Sequence, residues 1–144
     1  MLYLDAAVVL TLFLNETTSR AVETWLARRR RPLAVSDWAL TECASALGIK
    51  CRRRELPAGA AASAFAAMEG FARESCELIA CAPHHQAGAQ ELLARFELPL
   101  RAGDALHLAM ARHAGATLVT YDALLLASAK SLDIKVADPL RAAR

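Results

Sequence analysis

The chain has 144 residues, of which 56% are hydrophobic and 22% are charged, with a formal net charge of +2. This length predicts one domain spanning residues 1–144, and the apolar composition argues against a disordered chain. No apolar run approaches the roughly 20 residues of a membrane span, and the N-terminus lacks the basic segment of a signal peptide. We therefore expect a cytoplasmic protein without a membrane segment.

Charge and cysteine usage give only weak functional signals. The basic runs Arg28–Arg31 and Arg52–Arg54 lie near the expected C-termini of helices, where they fit two roles equally well: complementing helix dipoles or contacting phosphates. The four cysteines form no C-x-x-C pair and have no histidine at metal-ligand spacing. This pattern predicts buried, reduced thiols, and we interpret His84, His85 and His113 as surface residues.

Strand-like and helix-like segments alternate along the chain, which predicts a parallel sheet with helices on both faces. Right-handed crossovers then favour the strand order 3-2-1-4-5 in a three-layer α/β/α fold with four to five short strands. The predicted strands are Leu2–Leu4, Leu33–Val35, Glu77–Cys81, Thr117–Thr120 and Ile134–Val136. The predicted helices cover residues 6–14, 19–29, 38–53, 57–73, 83–96 and 123–131, with a further helix that carries Asp104 in its first turn.

Four acids are predicted to meet at the C-terminal edge of this sheet. Asp5 ends the first strand and Asp122 follows the fourth, while Glu42 and Asp104 lie on helices that leave the same edge. Two carboxylates about 4 Å apart repel by about 4 kcal/mol at an effective dielectric of about 20, so the group requires a cation. Ligation by oxygen alone suits Mg²⁺ or Mn²⁺, and such an ion supports phosphodiester hydrolysis.

Each acid also has a purely structural interpretation. Asp5 and Asp104 could cap the helices that follow them, and Asp122 could be a turn residue. For Glu42, which lies near an apolar helix face, the alternative is an ion pair with an arginine, because an unpaired buried carboxylate costs several kcal/mol in order of magnitude.

Two further residues beside Asp104 are candidates for substrate binding. His107 lies one helical turn later, and a packed, hydrogen-bonded core histidine is favoured there over one that touches substrate. Arg101 fits contact with a phosphate and simple solvent exposure equally well.

Four segments of the chain resemble the PIN domain: YLDAAVVL, TECASAL, LRAGDALHLAMA and LVTYDALLLASAKSLDIKV. The resemblance covers essentially the whole chain, which in size is similar to the VapC-type toxins of toxin-antitoxin pairs. It implies an RNA substrate, a small cognate antitoxin and a homodimer. Ala6 and Ala7 stand where the family often has Thr or Ser. The resemblance implies a Mg²⁺-dependent endoribonuclease whose site residues are Asp5, Glu42, Asp104 and Asp122, with Thr120 as a supporting hydroxyl.

A second function remains open, a non-catalytic module that binds RNA or protein through the same scaffold. Dinucleotide binding is disfavoured because the chain has no G-x-G-x-x-G motif. A homodimer is also expected from composition, since the early helices carry more apolar residues than so small a sheet covers. These residues are Trp25, Leu26, Trp38 and Ile49.

Overall fold

Five short parallel strands form one sheet in the computed structural model, which describes residues 1–141. The strand order is β3-β2-β1-β4-β5, and every neighbouring pair is parallel. This confirms the predicted order and the three-layer α/β/α class. The strands are β1 (Leu2–Leu4), β2 (Leu33–Ser36), β3 (Cys76–Ile79), β4 (Thr117–Val119) and β5 (Val136–Ala137).

Seven helices among the described residues cover the two faces of the sheet. They are α1 (Ala6–Phe13), α2 (Ser19–Ala27), α3 (Asp37–Arg52), α4 (Ala58–Ser75), α5 (Pro83–Leu93), α6 (Ala102–His113) and α7 (Ala123–Ser131).

Five predicted boundaries were wrong by more than one residue. α2 ends at Ala27 and not at residue 29, and α4 ends at Ser75 and not at residue 73. α5 ends at Leu93 and not at Phe96, because Phe96 has a φ of 58° and turns the chain away from the helix. β5 pairs with β4 through Val136, while Ile134, predicted to begin that strand, packs in the core. β3 ends at Ile79, which pairs with Ser36 at the end of β2.

Alternating side chains of β1 divide the core into two halves. Leu2 and Leu4 pack with apolar residues of α1 to α4, whereas Tyr3 packs with residues of α5, α6 and α7. Successive side chains of a strand point to opposite faces, so the central strand is buried on both sides. The apolar run that identified β1 in the sequence is therefore the signature of a strand covered by helices on both faces.

β2 and β3 extend the sheet on one side of β1, and β4 and β5 extend it on the other side, so the strand order switches between β1 and β4 at the centre of the sheet. The backbone N–H of Asp5 donates to the Val119 carbonyl at 3.2 Å, which joins the C-terminal ends of these strands. Crevices of parallel sheets open at such a point. Gly115, with a φ of 58°, turns the chain from α6 into β4 in the left-handed conformation that favours glycine.

Within residues 1–141, no helix has the length and apolar character needed to cross a bilayer.

All four cysteines are free, but only Cys43 is buried, and Cys51, Cys76 and Cys81 are half-buried. The expectation of four buried thiols was therefore wrong for three of them, because Cys51 lies in the last turn of α3, Cys76 begins the edge strand β3 and Cys81 lies in the connection after it.

Candidate active site

A pocket of about 260 Å³ lies beside the C-terminal ends of β1 and β4. All four predicted acids line it, although each belongs to a different part of the chain. Asp5 precedes α1, Glu42 lies in α3, Asp104 lies in α6 and Asp122 precedes α7. The remaining lining residues are Ala6, Ala7, Leu10, Ala46, His107 and Leu125.

Three of the carboxylates also fix the start of a helix. Asp5 Oδ1 accepts the third N–H of α1 at 2.8 Å, and Asp122 Oδ1 accepts the second and third N–H groups of α7 at 2.8 and 2.9 Å. In α6, Asp104 Oδ2 accepts the backbone N–H of Arg101 at 3.1 Å. Since a carboxylate has two oxygens with several acceptor sites, capping a helix leaves each of these acids able to accept a ligand in the pocket.

Glu42 is held by a histidine and not by the arginine that its structural alternative required. Its Oε2 lies 2.6 Å from His107 Nε2, and His107 is only 3% exposed. Gly103 permits this arrangement, because a Cβ at that position would lie 2.5 Å from Glu42 Oε1. The first turn of α6 therefore shapes the space that the Glu42 carboxylate occupies.

A chain of buried hydrogen bonds continues from His107 across the sheet. His107 Nδ1 lies 2.7 Å from the Tyr3 hydroxyl, which lies 2.8 Å from Ser36 Oγ. Ser36 Oγ also accepts the N–H of Ala39 at 2.9 Å as the N-cap of α3. With Nε2–H donating to Glu42, Tyr3 donates to Nδ1 and Ser36 donates to Tyr3, so each polar group has a partner.

Sequence reasoning missed Tyr3, Ser36 and Gly103 as parts of this site. Burial raises the pKa of Tyr3 well above its ordinary value, so the hydroxyl remains a donor to His107. The signal was present in the sequence, because a tyrosine inside a fully buried strand needs a partner for its hydroxyl. The identity of that partner depends on tertiary structure.

The Asp5 carboxyl lines the pocket but is buried, and its burial shifts its pKa. It is 4% exposed, and burial raises its pKa above the ordinary value, while His107 and a hydrogen bond from Thr120 oppose the shift and Glu42 adds to it. Burial also raises the pKa of the neighbouring Cys43 thiol to about 12, with Glu42 and Asp5 contributing. The pocket is therefore unfavourable for negative charge in the absence of a cation.

The donor set fits a hard divalent cation such as Mg²⁺ or Mn²⁺. The four acids offer only oxygen atoms, which these ions prefer, and a bound cation would relieve the cost of the buried Asp5 carboxylate. In residues 1–141, no three of these acids bring ligand oxygens within 4.8 Å of one another. Two oxygens on one Mg²⁺ are at most about 4.2 Å apart, so in this arrangement at most two of the acids can touch one ion directly, and the others would act through its water ligands.

Two other predicted site residues lie beside the pocket. Thr120 is fully buried, and its Oγ1 accepts the N–H of Asp122 at 3.1 Å. Its hydroxyl also lowers the pKa of Asp5, so it lies between two of the acids. Arg101 is exposed at the start of α6 and does not line the pocket.

Three histidines predicted as separate surface residues instead form a cluster. His84, His85 and His113 stack with ring centroids 4.0 to 5.1 Å apart. The surface prediction was wrong for His85, which is 5% exposed. Its pKa is lowered by burial and by the other two histidines. Sequence spacing could not reveal the cluster, because His113 comes from a different helix.

A model of the PIN domain matches residues 2–127, which include all four acids of the pocket. This protein belongs to the PIN-domain family. No curated protein sequence matches the chain significantly.

Solved structures share the fold of this PIN domain at low sequence identity. VapC20 of Mycobacterium tuberculosis, a toxin that cleaves the sarcin-ricin loop, is 16% identical with a TM-score of 0.72, over 89% of this chain and 95% of that chain. A toxin-antitoxin complex from Klebsiella pneumoniae is 16% identical with a TM-score of 0.67, over 96% and 98% of the two chains. PAE2754 of Pyrobaculum aerophilum is 22% identical with a TM-score of 0.66, over 99% and 85%.

Proposed function

We propose that this PIN-domain protein is a metal-dependent endoribonuclease and the toxin of a toxin-antitoxin pair. The observation that carries the proposal is the pocket at the switch point of the sheet, where four acids from four elements meet. Membership of the PIN family supports nuclease activity. The four acids that line the pocket support the assignment of that activity to them.

The proposed ligands of Mg²⁺ or Mn²⁺, directly or through coordinated water, are Asp5, Glu42, Asp104 and Asp122. An ion held by these residues would supply water activation and charge neutralisation for phosphodiester hydrolysis. The protein contributes orientation, since backbone N–H groups hold three of the acids and His107 holds Glu42. Thr120 supports Asp5 from the core.

Substrate contact is assigned to Arg101 and not to His107. Both ring nitrogens of His107 are engaged, by Tyr3 and Glu42, as in the packed, hydrogen-bonded histidine that the sequence favoured. Its proposed role is therefore to position Glu42, and the alternative of contact with RNA is not retained. Arg101 is exposed beside the first turn of α6, where it is proposed to contact a phosphate of the RNA. Its guanidinium supplies charge and hydrogen-bond donors suited to that group.

The toxin-antitoxin assignment rests on similarity in fold to VapC20 and to the Klebsiella pneumoniae complex. The proposed partner is a small antitoxin that inhibits cleavage. A non-catalytic RNA- or protein-binding module remains the alternative function. Four carboxylates around a pocket disfavour its RNA-binding form in the absence of a metal, because they repel phosphates.

Mg²⁺ is expected to raise the melting temperature, because only the folded protein brings the four acids together. At tenfold excess over its dissociation constant, a single ion adds about 1.4 kcal/mol to the free energy of unfolding, which for this chain length corresponds to roughly 4 to 6 °C. Thermal melts over a range of Mg²⁺ and Mn²⁺ concentrations measure this. A melting temperature unaffected by millimolar metal would contradict the proposed metal site.

Cleavage of RNA tests the function itself. Total RNA incubated with the protein should be cut in Mg²⁺ or Mn²⁺ and remain intact in EDTA, with the Asp104→Asn variant as the control for contaminating nucleases. Intact RNA in both conditions, together with metal-dependent melting, would favour the non-catalytic module.

A homodimer is part of the proposal, although one reason for expecting it was wrong. Trp25 is 4% exposed and packs in the core, so it leaves no surface to cover. The side chain of Phe96 is apolar and 90% exposed. It borders a surface depression that Leu93 and Leu106 also line. We expect sedimentation to give the mass of a dimer and Phe96→Ser to weaken it. Wild-type protein that stays monomeric at about 100 µM would exclude a stable dimer.

A further inference from the structure

We propose that His84, His85 and His113 form a second metal site, which binds a divalent transition metal such as Zn²⁺, Ni²⁺, Cu²⁺ or Co²⁺. One ring nitrogen of each histidine lies within 4.8 Å of those of the other two. In residues 1–141 no other three metal-ligating side chains converge to this extent. Imidazole is the ligand type that these ions favour, whereas Mg²⁺ favours oxygen.

Two packed helices hold the three rings in place. His84 and His85 lie in the first turn of α5, and His113 is the last residue of α6. The helices approach closely at Gly88, where a Cβ would lie 3.4 Å from the Ala109 Cβ. The three rings therefore meet through helix packing, and a bound ion would join the N-terminus of α5 to the C-terminus of α6.

The spacing of two nitrogens matches a tetrahedral metal. His84 Nε2 and His85 Nε2 are 3.0 Å apart, whereas two ligand nitrogens on tetrahedral zinc are about 3.3 Å apart at Zn–N distances of about 2.0 to 2.1 Å. One of these nitrogens donates a hydrogen bond to the other. A metal ion bound between them would take the place of that hydrogen bond, with a shift of a few tenths of an ångström in the rings.

The second nitrogen of His85 must change its partner when a metal binds. In the metal-free protein Nδ1 accepts the Ala82 N–H at 3.1 Å. Ligation through Nε2 moves the ring proton to Nδ1, so that nitrogen releases the Ala82 N–H and donates to a carbonyl or a water instead. A backbone carbonyl is a common partner of the non-ligating nitrogen of a metal-bound histidine.

This site is separate from the carboxylate pocket. Asp104 and His113 are nine positions apart in α6, which corresponds to about 14 Å along the helix. His84 and His113 are exposed, so an ion can enter from solvent. Three protein ligands leave a fourth position for water or for a donor from another molecule.

Calorimetric titration of untagged protein with Zn²⁺, in a buffer with excess Mg²⁺ to occupy the carboxylate pocket, tests the proposal. We expect one Zn²⁺ per chain with a dissociation constant of about 10 µM or tighter. His84→Asn and His113→Gln, both at exposed positions, should each weaken binding on the order of tenfold or more. Cleavage of RNA in Mg²⁺ should be unchanged in both variants.

Two controls separate the sites. Arg112→Gln changes the residue beside His113 without removing a ligand, and Asp104→Asn alters the carboxylate pocket, so both should keep the wild-type affinity for Zn²⁺. Binding that survives in His113→Gln, or that is lost in Asp104→Asn alone, would overturn the histidine site. Thermal melts of the metal-free variants check that each remains folded.

Discussion

Asp104→Asn is expected to abolish RNA cleavage while leaving the melting temperature of the metal-free protein unchanged or higher. The asparagine oxygen still accepts the Arg101 N–H that Asp104 Oδ2 accepts at 3.1 Å, so the start of α6 is retained. The replacement removes one negative charge and with it a proposed metal ligand. Loss of cleavage on the order of a thousandfold or more is expected for removal of one essential electrostatic group.

Asp5→Asn should have the same effect on cleavage and a larger effect on stability. Burial raises the pKa of Asp5, so the folded protein binds this proton more tightly than the unfolded chain does. Stability is therefore lost as the pH rises from about 4, the ordinary range of an aspartate, through the raised pKa. The variant should be more stable than wild type at pH 7, by roughly 1 kcal/mol, and this advantage should disappear below about pH 4.

The matched control for both variants is Asp133→Asn, the same chemical change at an exposed residue outside the pocket. Asp133 has a φ of 54°, which asparagine also adopts readily. Its cleavage rate should equal that of wild type. Cleavage by Asp104→Asn or Asp5→Asn at close to the wild-type rate would show that these acids serve the fold alone.

Two substitutions of His107 are expected to separate its contact with Glu42 from its contact with Tyr3. Glutamine places an amide nitrogen near the position of Nε2 and keeps a donor for Glu42, whereas asparagine reaches only the position of Nδ1, near Tyr3. Each variant leaves one buried group without its partner, so the free energy of unfolding should fall by about 1 to 3 kcal/mol in both. Cleavage should fall at least about tenfold further in His107→Asn, because there the Glu42 carboxylate is released.

Measurement of stability and cleavage rate in the two His107 variants distinguishes a positioning residue from a purely structural one. If the two rates decreased in proportion to the two stabilities, His107 would serve the core and would have no specific role in placing Glu42. Tyr3→Phe supplies a third comparison, because it removes the hydroxyl bonded to Nδ1 and leaves the Glu42 bond intact. Its cleavage rate should resemble that of His107→Gln.

Much of the fold could be read from local pattern. Leu2–Leu4 and Thr117–Val119 are short apolar runs, and the alternation of such runs with helix-like segments predicts a parallel sheet. The rules of right-handed connection then leave few strand orders, and the predicted order is the observed one. Element ends were less predictable, as at Phe96 and Ile134, because local dihedral angles and core packing decide them.

The acids of the pocket were predictable for a related reason. Asp5, Asp104 and Asp122 each follow or begin a regular element at the same edge of the sheet, so the topology alone brings them together. Their helix-capping bonds did not conflict with that prediction, because one carboxylate can cap a helix and face a ligand. The sequence thus determined the sheet, its order and the acids at its edge.

Tertiary structure alone decided the contacts between side chains from distant parts of the chain. The chain of buried hydrogen bonds from Tyr3 through His107 to Glu42 joins β1, α6 and α3. The histidine cluster joins α5 to α6. Local propensity and periodicity describe one element at a time, whereas these contacts depend on the rotation and separation of packed elements to within about an ångström. Side-chain hydrogen bonds are lost beyond that tolerance, so only the packed fold determines which polar groups meet.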